Sequence, residues 1–205
     1  MTSDEKIINS ALEAFKTNGI KNVTMDDIAK RAGVSKRTVY ELFNDKHTLV
    51  IASIKHMLIK NNCEIIKIIG QTDNVIEALF KIVEAESLSH QNISPNFMSD
   101  IQKYFPIVSA SLTNNLENWS KFSAGYHFLE KGIEQGVIRG NLNIQLVDNF
   151  LHEMINLVHN SQIFKIMNLE KDDILDNIFL PYFRGICTSK GLKLMEKHFE
   201  KKTDQ

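Results

Sequence analysis

Cations are concentrated in one short stretch near the start of the chain, where their chemistry suits an anionic partner. Between residues 30 and 46 five basic residues stand against two acidic ones, a net charge of +3: Lys30, Arg31, Lys36, Arg37 and Lys46 against Glu41 and Asp45. Two of the chain's four arginines lie here, and the planar guanidinium pairs well with phosphate and with guanine. An ordinary solvated helix face also carries such charges, so the charge indicates a nucleic-acid site only together with a suitable fold.

The charge of the whole chain limits the kind of nucleic-acid binding that is possible. Its 205 residues carry 24 basic and 25 acidic side chains, a formal net charge of -1. A protein that coats nucleic acid along its whole length is basic throughout. The composition therefore predicts, at most, a local binding surface on a globular protein.

Residue types that could support catalysis do not fall in working patterns. His152 and Glu153 open like the zinc-protease motif H-E-x-x-H, but Asn156 stands where the second histidine must be. His152 and His159 are seven residues apart, about 10 Å along a helix, which is too far to share one metal ion. No nucleophile elbow, P-loop or dinucleotide fingerprint is present in the sequence. We therefore expect no enzyme, no metal and no cofactor.

The two cysteines, Cys63 and Cys187, lie in neither a disulfide framework nor a zinc-binding spacing. They predict buried free thiols in a reducing compartment. The N-terminus lacks a basic and apolar leader, and no stretch approaches 18 consecutive apolar residues. We expect a cytoplasmic protein without a membrane segment.

The elements that must position the cations are short helices, each with a capping residue. The helix starts are indicated by Thr2 with Glu5, Thr24 with Asp27, Ser35, and Asp45. These signals predict helices over about 2–18, 24–32, 35–43 and 46–69, with Gly19 ending the first. The first helix carries its apolar face on Ile8, Ala11, Leu12 and Phe15.

The second and third predicted helices have the dimensions of a helix-turn-helix. Ala29 and Ala32 are small enough for a close crossing, and Gly33 can adopt the positive φ of a tight turn. Apolar residues are expected to form a core against Leu12 and Phe15, namely Ile28, Val34, Val39 and Phe43. The residues left pointing outward are Lys36, Arg37, Thr38, Tyr40 and Glu41. In a helix-turn-helix, these positions reach base edges in the major groove.

The rest of the chain reads as successive helices without a convincing strand pattern, so the predicted fold class is all-α. One helix is expected from Thr72 or Asp73 to about His90, and two more over 97–104 and 108–135, separated by Pro106. Further helices are predicted over 145–167, over 172–189 with a kink at Pro181, and from Gly191 to about Lys201.

Residues 7 to 49 resemble the DNA-binding segment of the TetR/AcrR family of bacterial transcriptional regulators. The matching residues are Ile8, Ala11, Phe15, Gly19, Thr24, Ile28, Ala29, Ala32, Gly33, Val34, Ser35, Thr38, Val39, Tyr40, Phe43, Lys46 and Leu49. A dozen or more spaced matches over some forty residues are far more specific than a short motif.

The resemblance implies a DNA-binding site made of Thr24, Ser35, Lys36, Arg37, Thr38, Tyr40 and Lys46. Lys36, Arg37 and Tyr40 are implied to contact bases, and Thr24, Thr38, Tyr40 and Lys46 to bind the phosphate backbone. The position before Thr38 is commonly glycine, serine or proline in the family, and here it is Arg37. A long cation at this position could read a guanine or could only bind a phosphate.

The resemblance also implies a division of the chain into a helix-turn-helix DNA-binding domain, residues 1–46, and a helical ligand-binding and dimerisation domain, residues 47–205. Homodimerisation is expected through the helices at about 145–167 and 172–189, whose apolar stripes are wide. Candidate ligand-binding residues, for which core packing is the alternative role, are Met57, Cys63, Phe97, Met98, Trp119, Phe122, Tyr126, His127 and Met154.

The function that this pattern predicts is a homodimeric transcriptional regulator that binds double-stranded operator DNA. The expected form is a repressor released from DNA by an unidentified small, largely apolar effector. One alternative is a DNA-binding regulator without a small-molecule inducer, controlled by a protein partner or acting as an activator. Another alternative is an enzyme or carrier that merely has a helical N-terminal domain.

Overall fold

The computed structural model describes residues 2–89, 93–113, 123–161, 166–167 and 171–203. The helices in chain order are α1 Ser3–Asn18, α2 Met25–Ala32, α3 Lys36–Phe43, α4 Lys46–Gln71, α5 Val75–Ser89, α6 Pro95–Thr113, α7 Ala124–Glu134, α8 Ile144–Asn160, α9 Lys171–Ile174, α10 Leu180–Ile186 and α11 Ser189–Thr203. A π-helical segment, Leu175–Phe179, joins α9 to α10. An isolated antiparallel bridge pairs Ile138 with Cys187. The fold is all-α, as predicted, and no helix among the described residues has the length and apolarity needed to cross a lipid bilayer.

The predicted caps start the first four helices. Thr2 forms a capping box with Glu5 at the start of α1. Ser35 caps α3 by accepting a hydrogen bond from the Thr38 backbone N–H at 3.0 Å. Asp45 accepts from the Thr48 N–H at 2.7 Å and starts α4. Because these side chains satisfy backbone donors that a helix N-terminus leaves open, short helices such as α2 and α3 begin at defined residues.

The described residues form two compact units. The first takes in those of Met1–Cys63 and Ala85–Leu116. Its core is built on residues from α1 to α4 and α6, including the fully buried Phe15, Ile28, Val39, Leu49 and Ile54. The predicted helix-turn-helix core is confirmed, although on α1 it is Ile7 that is fully buried and Ile8 only partly.

The second unit takes in the described residues of Glu64–Glu84 and Glu117–Gln205. Its core includes Val75, Leu129, Ile138 and Met195, each almost wholly buried. Gly132 allows a close contact in this core, since a Cβ at that position would lie 2.5 Å from Ile138 Cδ1. The predicted boundary after residue 46 separates a DNA-binding part from a ligand-binding part of the chain. Compact units do not test that functional division, so it stays a prediction.

Several predicted helix boundaries are wrong. Helix α8 ends at Asn160 instead of continuing to residue 167, and Ser123 caps a new helix, α7, inside the single helix expected over 108–135. Helix α5 begins at Val75, where the Asn74 side chain accepts from the Glu77 N–H at 3.0 Å, rather than at Thr72 or Asp73. Helix α6 starts at Pro95 and runs through Pro106 to Thr113, so Pro106 does not separate two helices. An interior proline costs about 3 kcal/mol, and this helix is nevertheless part of the first core, in which Phe97 and Val108 are buried.

The distortion expected at Pro181 lies in the residues before it. The chain widens into the π-helical segment over Leu175–Phe179, and α10 restarts at Leu180 with Pro181 in its first turn. There the missing N–H of proline removes little hydrogen bonding.

The two cysteines differ in exposure. Cys187 is buried, as predicted, with its Sγ 4.0 Å from Met195 Sδ. The prediction of a buried thiol is wrong for Cys63, which is exposed on α4. The apolar residues of α4 near Cys63 do not show from their spacing which face of the helix packs inward there.

Candidate nucleic-acid interface

Helix α3 presents a polar face because its apolar residues are used inside. Val39 and Phe43 are buried in the first core. At about 100° per residue, Arg37 and Glu41 fall on the opposite face of the helix. Their side chains are 86% and 58% exposed, and Arg37 Nε donates to Glu41 Oε1 at 2.6 Å. Glu41 therefore constrains the orientation of the exposed Arg37 guanidinium through its Nε.

Lys36 and Tyr40 lie on the flank of this face and are both exposed. Lys36 Nζ is 2.8 Å from Asp26 Oδ1 and 5.9 Å from the centre of the Tyr40 ring. The hydrogen bond to Asp26, together with its negative charge, raises the pKa of Lys36, so this residue stays cationic. Asp26 lies on α2, so the pair also ties the two helices of the motif together.

The hydroxyls at the start of α3 are organised by the cap. Ser35 Oγ and Thr38 Oγ1 lie 2.8 Å apart, beside the bond from the Thr38 N–H to Ser35 Oγ. Hydroxyls and backbone N–H groups at a helix N-terminus are suited to phosphate oxygens. This arrangement agrees with the implied roles of Ser35 and Thr38, which remain predictions.

Thr24 caps α2 in the same manner, and its hydroxyl is already engaged. The Thr24 Oγ1 donates to Asp27 Oδ2 at 2.6 Å and accepts from the Asp27 N–H at 3.2 Å. The hydrogen bonds from Thr24 lower the pKa of Asp27, which keeps its carboxylate ionised. A phosphate contact from Thr24 therefore requires its hydroxyl proton to be redirected from Asp27.

Lys46 opens α4 and is partly covered. Its ammonium donates to the Lys21 carbonyl oxygen at 3.3 Å. Burial lowers the pKa of Lys46, while the negative charges of Asp100 and Asp27 act in the opposite direction. An ammonium has three donors, so two N–H groups of Lys46 remain for a phosphate.

The residues implied by the resemblance therefore occupy α3 and the starts of α2 and α4 in the first unit. Three acidic contacts were not predicted from the sequence. Asp26 pairs with Lys36, Glu41 pairs with Arg37, and Asp100 accepts from the Lys21 N–H. The spacing of Arg37 and Glu41 at i and i+4 is a usable sequence signal. The contacts of Asp26 and Asp100 join different elements and have no such signal.

The candidate ligand-binding residues are placed in both units. Met57 packs at the edge of the first core, Phe97 is 1% exposed inside it, and Cys63 is exposed. In the second unit Met154 is buried, and the neighbouring rings of Tyr126 and His127 are 6.5 Å apart. The Met98 side chain and all of Trp119 and Phe122 lie outside the described residues. Ligand binding by this set stays a prediction.

A serine, a histidine and an aspartate meet in the second unit in an arrangement unlike a nucleophilic triad. The buried Asp148 Oδ1 accepts from Ser123 Oγ at 2.8 Å and lies 3.5 Å from His152 Nε2. Ser123 Oγ is 3.3 Å from the same ring nitrogen. In a triad the carboxylate and the nucleophile contact opposite nitrogens of the imidazole. Because Ser123 also caps α7, this cluster is suited to joining α7 to α8.

Comparison with known proteins identifies the family. The family model described as bacterial regulatory proteins, tetR family, matches residues 7–52. The transcriptional regulator SrpR of Pseudomonas putida is 30% identical over 147 residues, which are 69% of this chain and 66% of SrpR. The negative regulator IcaR of the Staphylococcus aureus biofilm operon icaADBC is 26% identical over 116 residues, 57% of this chain and 56% of IcaR.

Solved structures agree on the fold. The transcriptional regulator FadR from Bacillus subtilis, crystallised in complex with stearoyl-CoA, superposes with a TM-score of 0.60 at 20% identity, covering 89% of this chain and 98% of that one. The matches to SrpR and IcaR span about two thirds and just over half of those proteins. Taken with the helix-turn-helix and its cationic face, these matches establish that the chain belongs to the tetR family of bacterial regulatory proteins.

Proposed function

We propose that the protein is a transcriptional regulator that binds operator DNA through α3. The observation that carries the proposal is the polarity of that helix, with Val39 and Phe43 buried and Arg37 exposed on the opposite face. Ordered hydroxyls and Lys46 flank this face and suit phosphate. In this arrangement α3 enters the major groove while the starts of α2 and α4 hold the backbone.

A mobility-shift assay on the DNA upstream of the protein's own gene tests this proposal. We expect a complex whose affinity falls steeply with salt, because phosphate contacts release counterions. A random duplex of the same length is the control and should bind far more weakly. Equal binding to both duplexes, or no binding at low salt, contradicts the proposal.

We further propose that the regulator acts as a dimer. Leu146, Phe150 and Leu157 are exposed apolar side chains of α8, and helix geometry places them within about 40° of one another around its axis. A single exposed leucine is ordinary, but an aligned stripe is typical of an interface. Two recognition helices held about 34–36 Å apart can meet successive major grooves on one face of the duplex.

Release by a small, largely apolar effector is the remaining part of the proposal. FadR, which shares the fold, was crystallised with stearoyl-CoA. Because the long acyl chain of that ligand is apolar, long-chain acyl-CoA is a first probe, although its CoA part is larger and more polar than the proposed effector. In this scheme the effector favours a state in which α4 has moved and the two recognition helices no longer match the groove spacing. Lys46 and Met57 are both on α4, about 17 Å apart along its axis. Operator complexes that dissociate on addition of a probe, but not of its more polar analogue, support this part.

A regulator without a small-molecule effector is the second candidate, and one observation favours it. Phe97 and Met154, two of the proposed ligand contacts, are buried in packed cores. Core packing alone accounts for residues buried in this way. Operator binding that is unchanged across a broad ligand screen supports this candidate, whereas an effector that releases the operator excludes it.

A further inference from the structure

Helix α6 carries a buried carboxylate that contacts the turn between α1 and α2. Asp100 is 7% exposed. Its Oδ2 accepts a hydrogen bond from the Lys21 backbone N–H at 3.2 Å, and its Oδ1 lies 3.8 Å from Lys21 Nζ. Because a buried charge needs compensating partners, the position of this carboxylate and the position of the turn depend on each other.

The end of α1 and the turn after it touch the start of α6 at two more points. Gly19 has φ +81°, and a Cβ at that position would lie 2.8 Å from Asn96 Cβ. The Ser94 N–H, just before α6, donates to the Lys16 carbonyl oxygen at 2.8 Å. The end of α1 and the turn after it are thus held against the start of α6 by contacts at Ser94, Asn96 and Asp100.

The same turn also contacts Lys46, the first residue of α4. The N–H of Lys21 is bound by Asp100, and the carbonyl oxygen of Lys21 accepts from Lys46 Nζ. A displacement of Lys21 therefore moves the acceptor that anchors the Lys46 ammonium. The chain of contacts runs from Asp100 on α6, through the Lys21 backbone, to Lys46 at the start of α4.

We infer that Asp100 is a positioning residue for DNA binding, which acts by fixing the Lys21 backbone and thereby the Lys46 ammonium that contacts phosphate. This inference rests on the proposed function. It extends the determinants of DNA affinity to α6, which carries none of the predicted DNA contacts. Asp100 is negatively charged, so simple charge attraction to DNA predicts the opposite effect of removing it.

A double-mutant cycle on the full chain tests the inference. We expect Lys46→Ala to weaken operator binding and to reduce the slope of log K against log salt by about 1.8 per dimer, because each of the two copies loses one phosphate contact worth about 0.9. Asp100→Ala should weaken binding by about two- to tenfold and reduce the slope in the same direction. In the Lys46→Ala background, Asp100→Ala should have no further effect. Additive losses, or tighter binding by Asp100→Ala, overturn the inference.

Two variants separate positioning from a general effect on folding. Asp100→Asn keeps an oxygen acceptor for the Lys21 N–H and should bind the operator within about twofold of the wild type. Ser99→Ala, at the exposed neighbouring position on α6, is the matched control and should be silent. A loss in Asp100→Asn as large as that in Asp100→Ala contradicts the proposed hydrogen-bond route.

A measurement on the wild type remains decisive if Asp100→Ala does not fold. The Lys21 amide is expected to exchange slowly with deuterium, as a bonded N–H does, and fast exchange there overturns the inference. Failure of the wild-type chain to bind its upstream DNA would instead refute the proposed function. The two failures are therefore distinguishable.

Discussion

Arg37 illustrates how much depends on a single side chain at the residue scale. Its long cation stands where the family commonly has a small residue or proline, and the sequence leaves open whether it contacts a base or a phosphate. In the structure Glu41 holds its Nε, which leaves the two terminal amino groups for an acceptor pair such as guanine O6 and N7. We therefore predict a base contact.

Arg37→Ala should weaken binding to the operator by about 1–3 kcal/mol while leaving binding to random DNA nearly unchanged. The measurement is a pair of titrations at the same salt concentration, one with each duplex. Arg139→Ala, at an exposed arginine of the second unit, is the matched control and should change neither. Equal losses on both duplexes would assign Arg37 to a phosphate.

The two thiols should differ in reactivity. Burial raises the pKa of Cys187 to about 11, whereas Cys63 is exposed. At pH 8 we expect iodoacetamide to label Cys63 in the native protein and Cys187 only after denaturation, because the thiolate is the reactive form. Mass spectrometry of the labelled peptides provides the measurement, and Cys63→Ser is the control that should remain unlabelled. Labelling of native Cys187 at the rate of Cys63 contradicts the prediction.

The Cys187 pKa also has a consequence for stability. An unfolded thiol titrates near pH 8.5, so above that pH the unfolded state releases a proton that the folded state retains. The contribution of Cys187 to stability is therefore fully present below about pH 8.5 and is lost as pH rises towards 11.

At the scale of the elements, the glycines that end α1 and α2 determine how the chain leaves each helix. The turn after α1 needs glycine for two reasons, since Gly19 has φ +81° and ψ 154° and lies against Asn96. Other residues almost never adopt this part of backbone space. Gly33, at the end of α2, has φ +63° in the left-handed helical region, and a Cβ at that position would lie 3.7 Å from the Lys6 Nζ, an ordinary contact.

Gly19→Ala should therefore be the more damaging of two matched substitutions. We expect it to lower the free energy of unfolding by more than about 2 kcal/mol, from backbone strain together with the collision with α6. Gly33→Ala should cost about 1 kcal/mol, from the left-handed conformation alone. Urea unfolding followed by circular dichroism compares them. The reverse order, or equal effects, contradicts this reading of the turn.

At the scale of the whole molecule, the proposed function requires two copies. Phe150 is 51% exposed on the apolar stripe of α8. The substitution Phe150→Glu should prevent dimerisation because it introduces a charge into an apolar interface. Sedimentation should show a monomer, and operator affinity should fall by more than about tenfold, since a single recognition helix contacts only half a site.

The control for this experiment is Ile59→Glu, because Ile59 is a comparably exposed apolar residue, 45% accessible, on α4. It should leave the mass and the operator affinity unchanged. A dimer that survives Phe150→Glu excludes this stripe as the interface. A wild-type chain that is monomeric at the concentrations where it binds DNA excludes the dimeric mechanism altogether.

Local patterns in the sequence determined the all-α class, the caps at Thr24, Ser35 and Asp45, and the outward face of α3. This was possible because capping and amphipathic spacing involve residues within about one or two helical turns. Local rules failed at Pro106, which lies inside α6, and at Cys63, which is exposed. Only the tertiary structure brought Asp100 to Lys21, 79 positions apart in the chain. Such a contact depends on how helices pack, and no periodicity in either segment encodes it.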